Sequence, residues 1–472
     1  MTTHALMAAL LLAQAPAPTP SPALRAEHTL GLDDALREAQ ARNLDLVAAR
    51  ARLDQSKELH WKAFSAYLPQ VTAGATFTHN DVPDVTFPTP TGYAVRDCTP
   101  GAGTIACAAT PALPPGLPGG PTPFAIVPTA VENILIQKQD QLAAQIQATQ
   151  ALFAPQAWFG IAAARAGERQ ATDSVESARR DVLFGVAQAY YGAAGQKQVV
   201  TIQERQLAIA LDHERDAKVR YDAGSTPKVT LLRAQIDRAR AEQDLKRAQN
   251  AYQSAKVSLA TLLDRDRADF EVEIPPSPPL PENQEALRDE APRLRPDVLA
   301  AQEQVTVAED NRRGTFSRYL PTLGAFGRYQ YANVTGFTGK TTSWAVGLAL
   351  NWNILDGFLR ESDLRENQAR VREAEASREG AELRARDEVE RARLDLDSAV
   401  ANRQKAKEQL ALARENQNLV NVNYKAGAAT YLEVSDANLA LLTSELSQVS
   451  ESLNADLATL RLLKAAGKFD PR

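Results

Sequence analysis

The sequence is poor in the residues that most chemistry needs. Its 472 residues hold two cysteines, two methionines and five histidines, and aromatics reach only 6%. His4, His28, His60, His79 and His213 lie in unrelated places. The two cysteines form no second pair, so no metal site is expected. No glycine-rich phosphate loop and no Ser/His/Asp or Cys/His set occurs in a recognisable context, so no catalytic residue, no cofactor and no enzymatic activity are expected. A net charge of −5 leaves no basic footprint for nucleic acid. No stretch reaches the roughly 18 apolar residues of a spanning helix. A helical inner-membrane protein is therefore excluded, and a membrane β-barrel is not. What is present is Ala, Gln, Glu, Arg and Leu in quantity, a composition that leans towards long helices.

Residues 5–13 read ALMAALLLA and run through Gln14-Ala15 into Pro16, Pro18, Pro20 and Pro22. That is a short apolar core with a small-x-small cleavage site, so residues 1–15 are expected to be a signal peptide. No Cys follows it to carry a lipid. Cys98 and Cys107 sit in a Pro/Gly-rich stretch nine positions apart. In an exported protein that spacing suits a local disulfide, with two free thiols or half of a metal site as the other readings.

The chain repeats itself. Tyr67-Leu68-Pro69 recurs as Tyr319-Leu320-Pro321, and Asp45, Ala48, Ala49 and Phe64 recur at the same offset as Asp297, Ala300, Ala301 and Phe316. Tyr221-Asp222-Ala223-Gly224 matches Tyr424-Lys425-Ala426-Gly427 at an offset shorter by about 49 residues. Those extra residues fall in the Pro-, Gly- and Thr-rich stretch 80–128, which reads as an inserted loop. Two structural repeats follow, 24–273 and 285–467, joined by a Pro-rich linker, 274–284.

Each repeat has the same order of elements. A helix of about 35 residues (32–66, then 285–317) ends at the Tyr-Leu-Pro tripeptide, because Pro disfavours helix at the residue before it. Two extended segments follow, at about 71–78 and 141–149, then 322–333 and 344–354. A very long helix (156–222, then 358–425), a Gly turn and a last helix (228–263, then 431–464) complete the repeat. Trp344, Val346, Leu348, Leu350, Trp352 and Ile354 alternate with small or polar residues. Such a run matches the 9–11 residues of a tilted membrane strand better than the usual five or six of a soluble sheet. On the helix 360–411, apolar residues form a narrow seam in a charged surface, as in coiled coils. Two 35-residue helices end to end match one 67-residue helix at about 100 Å, which predicts a rod or tube. Four strands per chain leave open edges that lipid does not tolerate, so several chains must share a barrel. Three would give twelve strands, with two or four also open.

With these features the chain resembles the TolC-type outer-membrane efflux protein family (the outer membrane factors) over about residues 28–467. The resemblance rests on the duplicated layout, the Tyr-Leu-Pro before each strand pair, and the strand-to-helix junctions Leu152-Phe153-Ala154-Pro155 and Ile354-Leu355-Asp356-Gly357. It rests most on the hairpin motifs Tyr221-x-x-Gly224…Leu232-x-Ala234-Gln235 and Tyr424-x-x-Gly427…Asp436-Ala437-Asn438. It implies an α+β membrane protein: a long coiled-coil-like α-helical barrel in the periplasm and a transmembrane β-barrel of twelve strands in a homotrimer, embedded in outer-membrane lipid. The implied function is the passive exit duct of a tripartite efflux pump or type I secretion system. Its partners would be a periplasmic adaptor and an inner-membrane transporter of RND or ABC type.

The Gly turns at Gly224 and Gly427 would reverse the helices at the periplasmic entrance. Glu433 and Asp436, three apart, share one helix face. The resemblance implies that they line the entrance constriction and favour cations there; the bland reading is two solvated carboxylates. In the family, polar links also hold the entrance shut. Here Tyr424 matches the tyrosine, but Ala429 stands at the arginine position and Thr230 at the aspartate position. Lys228 or Arg233 pairing with Glu433 or Asp436 is the expected substitute. The competing function is a periplasmic coiled-coil structural or adaptor protein, which would share the export signal and the helical hairpins. It would leave the long alternating strands unexplained.

Overall fold

A computed structural model describes residues 29–97, 124–281, 283–335 and 338–471. The signal peptide and the Cys98–Cys107 pairing lie outside the described residues. The elements run β1 (Thr29–Leu30), α1 (Leu32–Arg42), α2 (Leu44–Phe64), β2 (Gln70–His79), β3 (Val85–Asp97), β4 (Phe124–Gln137), β5 (Asp140–Phe153), α3 (Pro155–Asp222) and α4 (Lys228–Leu262) in the first repeat. β6 (Glu271–Val272) ends the first repeat, and the second has α5 (Leu287–Leu294), α6 (Pro296–Ser317), β7 (Thr322–Ala332), β8 (Thr342–Asn351), α7 (Leu359–Lys425) and α8 (Tyr431–Ala465). The long helices start and stop within a residue or so of where the sequence puts them. Pro155 explains one start, because proline at the first helical position gives up an N–H that has no partner there anyway.

Two expectations change. Each first helix is two helices, broken at Asn43 and at Arg295, positions equivalent in the two repeats. The repeats make the break by different chemistry. The Asn43 side chain accepts from the N–H groups of Asp45 (3.0 Å) and Leu46 (3.3 Å), starting α2, and donates to the Leu262 carbonyl (2.9 Å). Arg295 precedes Pro296, which opens α6, and its guanidinium pairs with Asp297 (2.8 Å) and Glu388. The second change concerns 80–128. From Val85 on its described part is strand: β3 and β4 pair antiparallel, from Val85 opposite Gln137 to Asp97 opposite Phe124. Pro88, Pro90 and Pro128 are tolerated because a two-stranded ribbon consists entirely of edges.

The chain divides into two compact units. The first comprises 29–56, 167–305 and 373–471 and is all helix apart from the parallel pair β1–β6. Its largest core sets Leu183, Val186 and Tyr190 of α3 against Leu259 of α4, Leu36 of α1 and Leu460 of α8. The Tyr190 hydroxyl lies 2.7 Å from the Leu30 carbonyl oxygen and 2.8 Å from that of Glu273, and so fixes the short strands to α3. A second core joins Leu287 of α5 to Val389 and Leu396 of α7 and Leu462 of α8. Alanines fill the seams between helices (Ala217, Ala234, Ala385 and Ala458 are buried), which lets the backbones approach closely.

The second unit comprises 57–166 and 306–372. It carries a four-stranded antiparallel sheet in the order β2-β5-β7-β8. Register makes the two faces explicit. Ala73, Ile146, Tyr329 and Trp344 form one row across all four strands, and Val71, Ala148, Gly327 and Val346 the next. The opposite face carries the rows Thr72-Gln147-Arg328-Ala345 and Gly74-Gln145-Gln330-Ser343. The apolar face is bare: Trp344 is 73% exposed and Val346 72%. The strands are 10, 14, 11 and 10 residues long, enough to cross a bilayer at a tilt. Arg328 lies on the face opposite these apolar rows. At the β8–α7 junction Gly357 (φ +68°) and Phe358 (φ +66°) are both left-handed. Buried Arg360 closes this turn by an ion pair to Asp356 (2.8 Å) and a hydrogen bond to the Ile354 carbonyl (2.9 Å).

Candidate functional site: the helical hairpin ends

The two helix reversals are closed by the same backbone device. At the end of α3 the Ser225 N–H donates to the Arg220 carbonyl (2.8 Å) and Gly224 to Tyr221 (2.9 Å). At the end of α7 Ala428 donates to Asn423 (2.8 Å) and Gly427 to Tyr424 (3.1 Å). Gly224 and Gly427 have φ of +71° and +77°, the left-handed value this cap requires. Pro227 then precedes α4. Thr430 caps α8: its hydroxyl accepts from the Glu433 N–H (3.3 Å), while the Glu433 carboxylate accepts from the Thr430 N–H (2.6 Å).

The four helix ends pack on two tyrosines. Tyr424, Tyr431 and Val434 are buried with Ala217 of α3 and Ala234 of α4, and Leu231, Val420 and Ala429 lie against them. The tyrosine rings meet edge to face at 6.3 Å, and the Arg220 guanidinium lies 4.7 Å from the centre of the Tyr424 ring. Two polar links cross between helices. Asp237 of α4 accepts from the Tyr431 hydroxyl (3.0 Å) and the Ser435 hydroxyl (3.2 Å) of α8. Asn438 of α8 accepts from Gln417 of α7 (3.1 Å), which orients its amide and points its NH₂ at Nε2 of His213 on α3 (3.2 Å). With the amide so oriented Nε2 accepts, an arrangement that suits the neutral imidazole. Burial pushes His213 below the usual imidazole pKa despite Asp216, Asp212 and Asp237 nearby; Lys425 adds to the lowering. Burial and the Asp237 carboxylate push the Tyr431 phenol up. Further along, buried Glu445 of α8 pairs with Arg205 of α3 (2.8 Å) and Arg414 of α7 (3.4 Å).

The residues singled out from the sequence are distributed as follows. Glu433 and Asp436 lie one turn apart on the exposed face of α8, opposite buried Tyr431 and Val434. The Glu433 carboxylate is engaged in the cap; Asp436 makes no hydrogen bond or ion pair among the described residues. Tyr221 and Gly224 are exposed. Thr230 is half-buried in the first turn of α4, with its N–H bonded to the Pro227 carbonyl (3.0 Å). The pairing expected of Lys228 or Arg233 with Glu433 or Asp436 does not form within the protomer. Both cations are exposed, and the acceptor at this level is taken by hydroxyls. Sequence reasoning missed Asp237, Ser435 and the His213–Asn438–Gln417 chain. Only the proximity of Asp237 to Ala234-Gln235, in the hairpin motif, could have pointed there.

Comparison with known proteins agrees with this architecture. Outer membrane efflux protein BepC of Brucella suis is 22% identical over 316 residues, 64% of this chain and 68% of its own length. Outer membrane protein OprJ of Pseudomonas aeruginosa is 28% identical over 316 residues, 62% of this chain and 63% of its own. The crystal structure of outer membrane protein VceC from Vibrio cholerae superposes with a TM-score of 0.69 at 19% identity, covering 92% of this chain and 96% of that one. The outer membrane efflux protein family model matches residues 129–265 and 287–468, about two thirds of the sequence and both of its repeats, so the chain belongs to the outer membrane efflux protein family.

Proposed function

We propose that the chain is the outer-membrane exit duct of an efflux or secretion assembly. Three copies would share one β-barrel, conduct passively and be gated at the hairpin ends of their helices. The observation that carries this is the β2-β5-β7-β8 sheet. One of its faces is bare and apolar, and both edges, β2 and β8, are unpaired among the described residues. Such edges are unstable in lipid unless another copy pairs with them. A periplasmic adaptor, transiently docked, would meet the α3/α4 and α7/α8 hairpin ends. An inner-membrane transporter of RND or ABC type would supply the energy. Glu433 and Asp436, on the exposed face of α8, would give six carboxylates around a threefold axis and favour cations at the entrance. Within each protomer, the hydroxyl links from Tyr431 and Ser435 to Asp237 would take the holding role that Ala429 and Thr230 cannot fill.

The test is single-channel recording of the purified protein in planar bilayers under asymmetric salt, beside Glu433→Ala/Asp436→Ala. Cation-selective steps that lose selectivity in the double variant support both the duct and its entrance filter. A protein released from cells without detergent, giving no steps, would overturn the duct and favour a periplasmic coiled-coil rod.

A further inference from the structure

We propose that Arg328 sets a second charge filter, inside the β-barrel, where three guanidinium groups favour anionic solutes. The inference rests on the duct reading and adds a specificity-determining residue to it. Within the four strands of the sheet the only charged side chains are Asp140 and Arg328. Asp140 sits at the strand end and is taken by His79, at 2.7 Å. Arg328 lies inside β7, with four residues of the strand beyond it. It makes no hydrogen bond or ion pair among the described residues.

Its surroundings are built for an extended, solvated side chain. The residues directly opposite are Gln147 on β5 and Ala345 on β8, one polar and uncharged, the other small. The neighbouring row on the same face is Gly74, Gln145, Gln330 and Ser343, again without charge. No carboxylate is there to neutralise the guanidinium. The opposite face, with Trp344, Val346, Leu348 and Tyr329, is the one that lipid covers, so Arg328 points to the interior of any barrel these sheets close. One copy per protomer makes a ring of positive charge. Guanidinium groups present paired donors that suit carboxylates, phosphates and sulfonates. The ring opposes in sign the carboxylates of α8, so a permeating ion meets two filters with opposite preferences. Three unit charges about 10 Å from the axis, screened over about 10 Å at 0.1 M salt, favour an anion and disfavour a cation about twofold each, and so change the anion-to-cation permeability ratio about fivefold.

The experiment measures reversal potentials of the full chain in a potassium chloride gradient at 0.1 M mean salt. The background is Glu433→Gln/Asp436→Asn, so that the entrance does not mask the barrel. Arg328→Lys should keep the anion preference. Arg328→Gln should lower the chloride-to-potassium ratio about fivefold, and Arg328→Glu should lower it further. Arg328→Cys treated with a cationic thiol reagent should recover the preference, and with an anionic reagent should lose it, against reagent-treated background protein. Ratios unchanged across these conducting variants would overturn the ring and leave the duct standing. A protein released from cells without detergent that conducts in no variant would overturn the duct, and the ring with it.

Discussion

At the scale of single residues, the two repeats solve the same problem with different side chains, and the differences are measurable. α4 and α8 end in the same left-handed cap, at Asp264 (φ +53°) and at Gly467 (φ +72°). A side chain at Gly467 would lie 2.9 Å from the carbonyl carbon of Leu294, so glycine is required there. Aspartate at 264 has no such clash but carries the strain of a left-handed L-residue. Asp264→Gly should therefore stabilise the protein by ~0.5–1 kcal/mol, read as a rise in the thermal midpoint. His213 gives a pH dependence. It is held neutral in the fold, with a pKa below the 6.5 of a free imidazole. Below about pH 6.5 the released side chain binds a proton that the folded one refuses, so stability falls as pH falls. Asp212 and Asp216 of α3 and Asp237 of α4 act against that loss, and Lys425 of α7 acts with it. Protection of the amides of residues 431–440, with each exchange rate divided by the intrinsic rate at its pH, should fall from pH 7.5 to 5.5, and His213→Gln should flatten the response. Equal loss of protection in both proteins would place the sensor elsewhere.

At the scale of elements, α8 meets α4 at the hairpin ends by apolar packing of Tyr431 and Val434 with Ala234 and Leu231. A polar link sets the hydroxyls of Tyr431 and Ser435 on the single carboxylate of Asp237. Tyr431→Phe and Asp237→Ala should each loosen α8 by about 1–3 kcal/mol. Both should raise the open fraction of the channel. Because they break one link, their effects should fall short of additive in a double-mutant cycle; full additivity would mean the pair is not coupled. The helices themselves were legible in the sequence, because Pro155, the Tyr-Leu-Pro tripeptides, Gly224 and Gly427 punctuate them by known backbone chemistry. The breaks at Asn43 and Arg295 were not, since an amide that both caps one helix and bonds the end of another leaves no pattern in a single sequence. The β3–β4 ribbon was missed because its prolines, which argue against a central strand, are harmless on an edge. Among the candidate residues, the glycine turns and Tyr424 could be found from spacing. Asp237 could not, because on a helix rich in charge one carboxylate that accepts two buried hydroxyls looks like its solvated neighbours.

At the scale of the whole molecule, the edges of the sheet, unpaired among the described residues, call for more than one copy, and twelve strands for three. β2 and β8 are the outer strands, and a closed barrel requires β8 of one copy to pair with β2 of the next. Light scattering in detergent should give a protein mass of about three times 51.2 kDa, less the signal peptides. A mass of one chain would overturn the shared barrel. The register of β7 then limits what kinds of genetic change the protein survives. Gly327 and Tyr329 lie on the apolar face and Arg328 and Gln330 on the other, so losing or gaining a single codon there would exchange the two faces for the residues beyond it. Loss or gain of two codons would keep the alternation. Length variation should therefore accumulate at the β3–β4 hairpin, where the first repeat already carries about 49 residues more than the second, and that hairpin is where an inserted tag or epitope would be borne.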